Sequence, residues 1–352
     1  MLARKILVLL LLTFASFAFA APTLNPNHPD RYTVVKGDTL WDIAGRFLKS
    51  PWRWPDVWHV NPQVKNPHLI YPGDELVLTY DANGNPVISI GKRARPNVKL
   101  SPGIRKTRLD RAIPTIPLDA IQQFLSKPLA VGEQELANAP YVVQPADDHV
   151  VAGAGDKLYV RNLKEEGKAK YSVFRPGIKY IKHHPKETDE EPEVLGYEAI
   201  YVGETTVARF GDIATLLLTS TEREAHKGDR LLPLGEDDIN ENFMPHAPRT
   251  NVDASIISVV DGVAQIGQNQ LVVIDAGSRE KIDVGTVLGV YTRGKVVRDT
   301  VSPERGDTVR LPDERAGTLM VFRVFEKVSF ALVMDATSPL HVYDAVRNPE
   351  EL

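Results

Sequence analysis

Apolar residues near the start of the chain change their spacing within a few positions. Residues 31–36 are rich in aromatic and β-branched side chains, which is typical of a short strand. After Gly37, apolar residues recur three and four positions apart and predict a helix with one buried stripe. That stripe comprises Leu40, Ile43, Ala44, Phe47 and Leu48. Thr39 and Asp42 have the spacing of a capping box, so we expect the helix to begin there.

A second helix and a second strand complete this first pattern. Proline is favoured in the first turn of a helix, so a shorter helix is expected near Pro55. Residues 75–80 alternate in the manner of a strand, and Asn83–Gly84 predicts a hairpin turn after it. The order strand, helix, helix, strand predicts a small α+β module.

Short β-like runs bounded by Gly, Asp, Asn or Pro dominate the chain after residue 140, following one helix predicted within 116–129. The runs also repeat. Residues 155–160 resemble 285–291, and residues 196–229 resemble 317–344. We therefore predict a mainly-β C-terminal region with two related β units, at about 140–232 and 252–347.

Length and composition suit an exported protein of two or three globular domains. The chain has 352 residues, of which 43% are apolar and 25% charged. Residues 1–20 have the basic start, apolar middle and small terminal residues of a secretory signal peptide, with an uncleaved anchor as the alternative. We expect no transmembrane segment after cleavage. The absence of cysteine excludes disulfides, thiol nucleophiles and a lipidated cysteine, and the export signal fits a bacterial periplasm.

Charge is unevenly distributed along the chain. Without residues 1–20 there are 42 − 2 = 40 basic and 46 acidic residues, a balance of −6 that argues against nucleic acid as a general partner. Residues 92–111 nevertheless hold eight bases and one acid. This basic linker is either a solvated spacer or a patch for acidic stem peptides, anionic lipids or an acidic partner surface.

Residues 32–79 resemble a LysM module. The matching positions are 32–34, 36–44, 61–62 and 69–76, in that order. The resemblance implies binding of glycans that contain N-acetylglucosamine, here peptidoglycan, in a shallow groove between two loops. Carried over position by position, one wall comprises Gly37, Asp38, Thr39 and Leu40, and the other comprises Leu69, Ile70, Tyr71 and Pro72.

Such loops have suitable chemistry for an acetamido sugar, because turns rich in Gly and Pro expose backbone groups beside apolar side chains. We expect Trp41 and Ile43 to hold the fold instead. Three further tryptophans cluster between the helices. Trp52 and Trp54 either brace this small module together with Trp58, or extend the groove by stacking on sugars.

Patterns for catalysis are missing from the sequence. There is no cysteine nucleophile, no His-Glu-x-x-His or His-x-His zinc pattern, and no Gly-x-Ser-x-Gly. Ser89 to Lys92 matches Ser-x-x-Lys without the companion motifs. The pair His183–His184 lacks further ligands for a metal, and Asp81 with Asn83 and Asn85 lacks the rest of a calcium loop. We therefore expect a non-enzymatic protein with no cofactor and no metal.

The layout resembles the secretin-associated LysM proteins of type IV pilus systems, whose C-terminal part is similar to the C-terminal domain of flagellar T-ring assembly proteins. The domains would be a signal peptide (1–20), the LysM domain (32–79), a hairpin and basic linker (80–112) and a partner-binding region (113–350). The resemblance implies an anchor that holds an outer-membrane secretin ring to peptidoglycan. The alternatives are a cell-wall hydrolase or amidase regulator, and a flagellar ring accessory factor.

Overall fold

A computed structural model of the chain describes residues 22–58, 70–91, 112–125, 127, 130–164, 169–182, 191–234, 243–260, 265–301 and 306–350. The chain divides into two compact units, Met1–Ile113 and Pro114–Glu351. The predicted signal peptide, the basic linker at 92–111 and the pair His183–His184 lie outside the described residues. None of the helices among the described residues combines the length and hydropathy needed to span a bilayer.

The first unit is a three-stranded antiparallel sheet with helices. Its strands lie in the order β1-β2-β3. They are β1 (Arg31–Thr33), β2 (Glu75–Tyr80) and β3 (Pro86–Ile90). Between the first two strands come α1 (Leu40–Phe47), a 3-10 helix (Pro51–Arg53) and α2 (Trp54–Val57). The predicted order of strand, helix, helix and strand is thus present.

Helix α1 begins at the predicted capping box. The Thr39 hydroxyl accepts a hydrogen bond from the Asp42 backbone N–H at 3.1 Å and donates one to the Asp42 carboxylate at 2.7 Å. These bonds satisfy a backbone donor that a helix start otherwise leaves unpaired. All members of the predicted apolar stripe are buried, so the predicted helix is confirmed.

The core of the first unit extends beyond residues 32–79. Ile88 on β3 and Ile113 are buried in the same cluster as the helices, and Leu24 packs against it. A module of about fifty residues has little apolar surface to bury, and flanking segments that cover its core add to that surface. The β2–β3 hairpin is held by Asp81, whose carboxylate accepts from the backbone N–H groups of Asn83 and Asn85 at 2.8 Å each.

The second unit opens with helical segments and a six-stranded closed sheet, which we call the first barrel. The helices are α3 (Leu118–Leu125) and α4 (Glu133–Asn138). The barrel strands are β5 (Tyr141–Pro145), β7 (Lys157–Arg161), β8 (Lys170–Ile181), β9 (Val194–Arg209), β10 (Ile213–Thr221) and β12 (Arg230–Pro233). Their order is β10-β7-β5-β12-β8-β9, and β10 also pairs with β9, which closes the ring. Three short strands accompany it, namely β4 (Ala130–Val131) on β9 and the pair β6 (Val151–Ala152) and β11 (Ala225–His226).

A second barrel follows in the same unit. Its six strands are β13 (Asp253–Val259), β14 (Leu271–Ile274), β15 (Val287–Thr292), β18 (Glu314–Val324), β19 (Ser329–Ala336) and β20 (Ala345–Arg347). They close in the order β13-β14-β19-β18-β15-β20. Between β15 and β18 the chain forms a separate hairpin of β16 (Val296–Arg298) and β17 (Thr308–Arg310).

Both barrels have the same strand order. When strands are counted along the chain within each barrel, both rings run 1-2-5-4-3-6. The sequence match of 196–229 with 317–344 agrees with this order, because it aligns the fourth and fifth strands and the turn before the sixth. The match of 155–160 with 285–291 is wrong, since it aligns a second strand with a third. A glycine turn followed by an apolar strand occurs more than once in a barrel, so the short pattern does not identify its position.

The turn before the sixth strand is built alike in both barrels. In the first, the Asp229 carboxylate accepts a hydrogen bond from the His226 backbone N–H at 2.8 Å, and in the second Asp344 accepts from His341 at 2.8 Å. Both aspartates are buried. Each carboxylate therefore satisfies a backbone donor of a turn that directs the chain into the closing strand.

An ion-pair cluster joins the two barrels. Glu193, which precedes β9 of the first barrel, accepts hydrogen bonds from Arg279 at 2.6 Å and from Lys327 at 3.0 Å in the second barrel. The hydrogen bond from Arg279 is the largest of the contributions that hold the pKa of the Glu193 carboxyl at about 2, against an ordinary value of 4.5. The folded state thus favours the ionised carboxylate.

Because the folded pKa of Glu193 is depressed, its contribution to stability is complete above pH 4.5 and is lost as the pH falls toward 2. We expect Glu193→Gln to lower the melting temperature by about 1–3 °C near neutral pH, since partly exposed ion pairs contribute little. That difference should shrink as the pH is lowered toward about 3. Thermal denaturation of the full chain measures it, with exposed Glu191→Gln as the control. An equal loss at both pH values would contradict the ion pair as the cause.

Candidate functional site

Two four-residue turns of the same construction carry much of the predicted glycan site. They span residues 35–38 and 71–74, and the third residue of each is a glycine with positive φ. These are Gly37, at φ 100°, and Gly73, at φ 90°. Residues other than glycine rarely adopt such a positive φ, which explains why the third residue of both turns is glycine.

The aspartates that end these turns act on the backbone of the turn itself. The Asp38 carboxylate accepts hydrogen bonds from the Val35 N–H at 2.9 Å and from the Tyr32 hydroxyl at 3.0 Å. The Asp74 carboxylate accepts from the Tyr71 N–H at 3.0 Å. Both aspartates are buried, so their main effect is to hold the shape of the two turns.

Backbone hydrogen bonds place the two turns side by side. The Val34 N–H donates to the Asp74 carbonyl at 2.9 Å, and the Gly73 N–H donates to the Val34 carbonyl at 2.8 Å. The start of one turn is therefore bonded directly to the end of the other. This pairing brings together the two sequence segments that were predicted to form opposite walls, although they are more than thirty positions apart.

The predicted wall residues differ in their exposure. Gly37 is exposed, and Tyr71 and Pro72 are half-buried. The remaining described members are buried, namely Asp38, Thr39, Leu40 and Ile70, and Leu69 lies outside the described residues. A ligand would therefore meet Gly37, Tyr71 and Pro72, while the buried members support the turns beneath them.

Ile113 is a neighbour of this site that the sequence did not indicate. Its backbone N–H donates to the Ile70 carbonyl at 2.8 Å, and its side chain is buried in the core of the unit. The bond occupies a backbone acceptor of the second wall. Only the apolar character of Ile113, after a long polar segment, could have indicated a return to the module.

The tryptophan cluster is largely internal. Trp54 is 2% exposed and Trp52 is 9% exposed, and the Trp54 and Trp58 rings meet edge to face at 6.3 Å between centroids. Buried rings offer little surface for stacking on a sugar, so this packing favours bracing over an extended groove. Trp41 and Ile43, which were expected to hold the fold, are buried.

The chemistry of this site is suited to binding. In the part of the chain that the structure describes, no group of three or more His, Asp or Glu side chains is arranged to hold a metal ion. The exposed edge offers turn backbone, an aromatic ring and a proline, which suit hydrogen bonds and apolar contacts to a neutral ligand.

Comparison with known proteins agrees with this assignment for the N-terminal module. The LysM domain family matches residues 32–79. The chain is also similar to the uncharacterized protein YqbP of Bacillus subtilis (strain 168), with 41% identity over 60 residues. That match covers 14% of this chain and 27% of YqbP, so the chain spans about a quarter of that relative's length. A LysM domain suggests binding of peptidoglycan or a related carbohydrate.

Proposed function

We propose that this protein is a non-enzymatic periplasmic anchor, which binds peptidoglycan through residues 32–79 and an outer-membrane secretin ring of type IV pilus type through its two barrels. The observation that carries the proposal is the LysM domain match over the two paired glycine turns. The secretin part rests on the resemblance of the whole layout to secretin-associated LysM proteins.

The exposed edge of the turns fits an N-acetylglucosamine unit. The acetamido group needs backbone donors and acceptors, and its methyl group needs an apolar wall. Gly37 leaves its backbone open to approach, since a side chain there would point into empty space. Tyr71 and Pro72 supply the apolar surface beside it.

One such site makes few contacts, so its affinity should be modest. We expect a dissociation constant between about 1 mM and 1 μM. Retention on the cell wall would then depend on the many repeats of the glycan polymer and on simultaneous binding by several copies of the chain.

Tyr71→Ala should weaken binding to purified sacculi by about five- to tenfold, because it removes the aromatic surface at the exposed edge. Tyr80→Ala is the matched control, since Tyr80 is an exposed tyrosine of the same unit at the end of β2. Co-sedimentation isotherms measure both variants, and tryptophan fluorescence checks that each remains folded. Equal losses in both variants, or no loss in Tyr71→Ala, would contradict the proposed edge.

The anchor role requires one molecule to hold both partners at once. Solubilised pilus secretin rings should pellet with sacculi only when the chain is present, and Tyr71→Ala should reduce this bridging without reducing binding to the rings. Rings that ignore the full chain would reject the secretin partner while leaving glycan binding intact. A clearing band on a peptidoglycan gel would instead support a hydrolase.

A further inference from the structure

A short segment at the start of the second unit is bonded to both barrels. It consists of the described residues 114–125, 127 and 130–131, and we call it the strap. The strap contains α3 and β4 and precedes the first barrel in the chain. Its contacts nevertheless extend to Arg323 of the second barrel, 199 positions after Phe124.

One arginine of the second barrel binds the end of α3. The Arg323 guanidinium donates hydrogen bonds to the Phe124 and Leu125 carbonyls at 2.9 Å each. It also donates to the Lys127 carbonyl at 2.6 Å. The last carbonyls of a helix have no partner within the helix, and a positive charge at this end interacts favourably with the helix dipole. Arg323 therefore both caps α3 and attaches it to β18.

Aromatic side chains of the second barrel orient Arg323. Its cross-strand partner on β19 is Phe330, which is 2% exposed. The guanidinium lies 5.6 Å from the centre of the Phe325 ring, and the Phe325 and Phe330 rings meet edge to face at 5.7 Å. A guanidinium beside an aromatic ring gains a cation–π contact. These rings therefore hold the group that binds α3 in position on the barrel.

The strap is bonded to the first barrel as well. The Lys127 ammonium donates to the Glu222 carboxylate at 2.6 Å and lies 4.9 Å from the centre of the Tyr201 ring. Strand β4 then pairs with β9, where Val131 lies opposite Tyr197. Lys127 thus binds the second barrel through its carbonyl and the first barrel through its ammonium.

A glycine of the first barrel allows β4 to approach β9 closely. Gly196 on β9 has a φ of 149°, and a Cβ atom placed on it would lie 2.9 Å from the Val131 carbonyl oxygen. That distance is shorter than real Cβ contacts, so a side chain at this position would push β4 away. The first barrel is therefore shaped to hold this end of the strap.

We propose that the strap is a conformational lock for the two barrels. When Arg323 binds α3, the strap fixes the barrels to each other in addition to the junction at Glu193. The attachment to the second barrel is concentrated in the Arg323 guanidinium, whereas the attachment to the first barrel includes strand pairing. Loss of the Arg323 bonds should therefore free α3 from the second barrel, leave β4 in place and allow the barrels to move relative to each other.

Distances between spin labels on the two barrels test the lock. The chain contains no cysteine, so Leu217→Cys on the first barrel and Val284→Cys on the second provide two labelling sites. These side chains are 39% and 48% exposed. Double electron–electron resonance on the full chain should give one narrow distance distribution when Arg323 is present. Arg323→Met should widen that distribution about twofold.

Three further variants make this measurement specific. Arg298→Met replaces an exposed arginine of the same barrel, on β16, and should leave the distribution unchanged. Arg323→Lys should widen it less than Arg323→Met, because an ammonium also donates to carbonyls. Glu193→Gln combined with Arg323→Met should widen it more than either single change, since the strap and the junction are parallel links between the same two barrels.

Hydrogen exchange gives a second measurement and locates the release. In Arg323→Met the backbone amides of α3 should exchange about tenfold faster, whereas those of β4 and β9 should not change. A broad distance distribution before any change at Arg323, or a narrow one in Arg323→Met, would overturn the proposal. So would faster exchange throughout both barrels, which would show that Arg323 supports the fold as a whole. Tyr71→Ala should alter neither measurement, which separates this result from glycan binding.

Discussion

Trp54→Ala is expected to unfold the N-terminal unit and to abolish retention on peptidoglycan while both barrels remain folded. Trp54 is among the largest fully buried side chains, and it lies in the core cluster with Phe47, Val57 and Ile70. Truncation of a buried tryptophan costs about 3–5 kcal/mol of unfolding free energy. A small unit has only about 5 kcal/mol or slightly more to lose, so this change removes most of its stability.

The position of the tryptophans allows a clean measurement of this effect. All four tryptophans of the chain lie between residues 41 and 58, in the first unit. Intrinsic tryptophan fluorescence therefore follows the unfolding of that unit alone, whereas far-ultraviolet circular dichroism also reports the barrels. Trp54→Phe should lose much less, because it keeps an aromatic ring in the core. If Trp54→Ala kept a cooperative fluorescence transition and lost only glycan binding, Trp54 would be a sugar contact and the groove would extend to it.

Asp229→Ala should destabilise the first barrel by about 2–4 kcal/mol, because it removes a buried acceptor from charged and backbone donors. The Arg175 guanidinium donates to both carboxylate oxygens of Asp229, at 2.8 and 3.0 Å, and His226 contributes its backbone N–H. The carboxylate thus holds the middle of the third strand to the turn before the sixth. Chemical denaturation followed by far-ultraviolet circular dichroism measures the loss.

Two further variants test whether the loss in Asp229→Ala comes from its ion pair with Arg175. Asp212→Ala removes an exposed acid of the same barrel and should change stability by less than about 0.5 kcal/mol. Arg175→Met combined with Asp229→Ala should cost less than the sum of the two single changes, since the second change breaks no further ion pair. Additive losses would show that the pair does not act as a unit.

The second barrel also has an arginine that is bonded to the turn before its sixth strand. Arg293, just after its third strand, donates to the Tyr343 carbonyl at 2.8 Å and to the Ser255 hydroxyl at 2.8 Å. It therefore holds the turn that ends in Asp344, much as Arg175 holds the turn that ends in Asp229. Each barrel thus has an arginine in or just after its third strand that is bonded to the turn before its sixth strand.

Local features of the sequence predicted the first unit well. The capping box of Thr39 and Asp42, the buried stripe of α1 and the hairpin turn after β2 all depend on residues within a few positions of each other. Because these hydrogen bonds and this periodicity involve only residues close together in the chain, the amino-acid sequence is enough to predict them. The same local reasoning predicted that Trp41 and Ile43 belong to the core and that the glycine turns form the predicted groove.

Local sequence patterns therefore specify the elements of the first unit, the two glycine turns and the mainly-β character of the rest. The burial of Trp52 and Trp54, the bond from Ile113 to Ile70 and the closure of both sets of six strands in one order follow from the three-dimensional structure and not from local patterns. These outcomes depend on contacts between residues tens of positions apart. Such contacts form when strands close a ring or a core excludes water, and no short sequence period specifies which distant partner completes them.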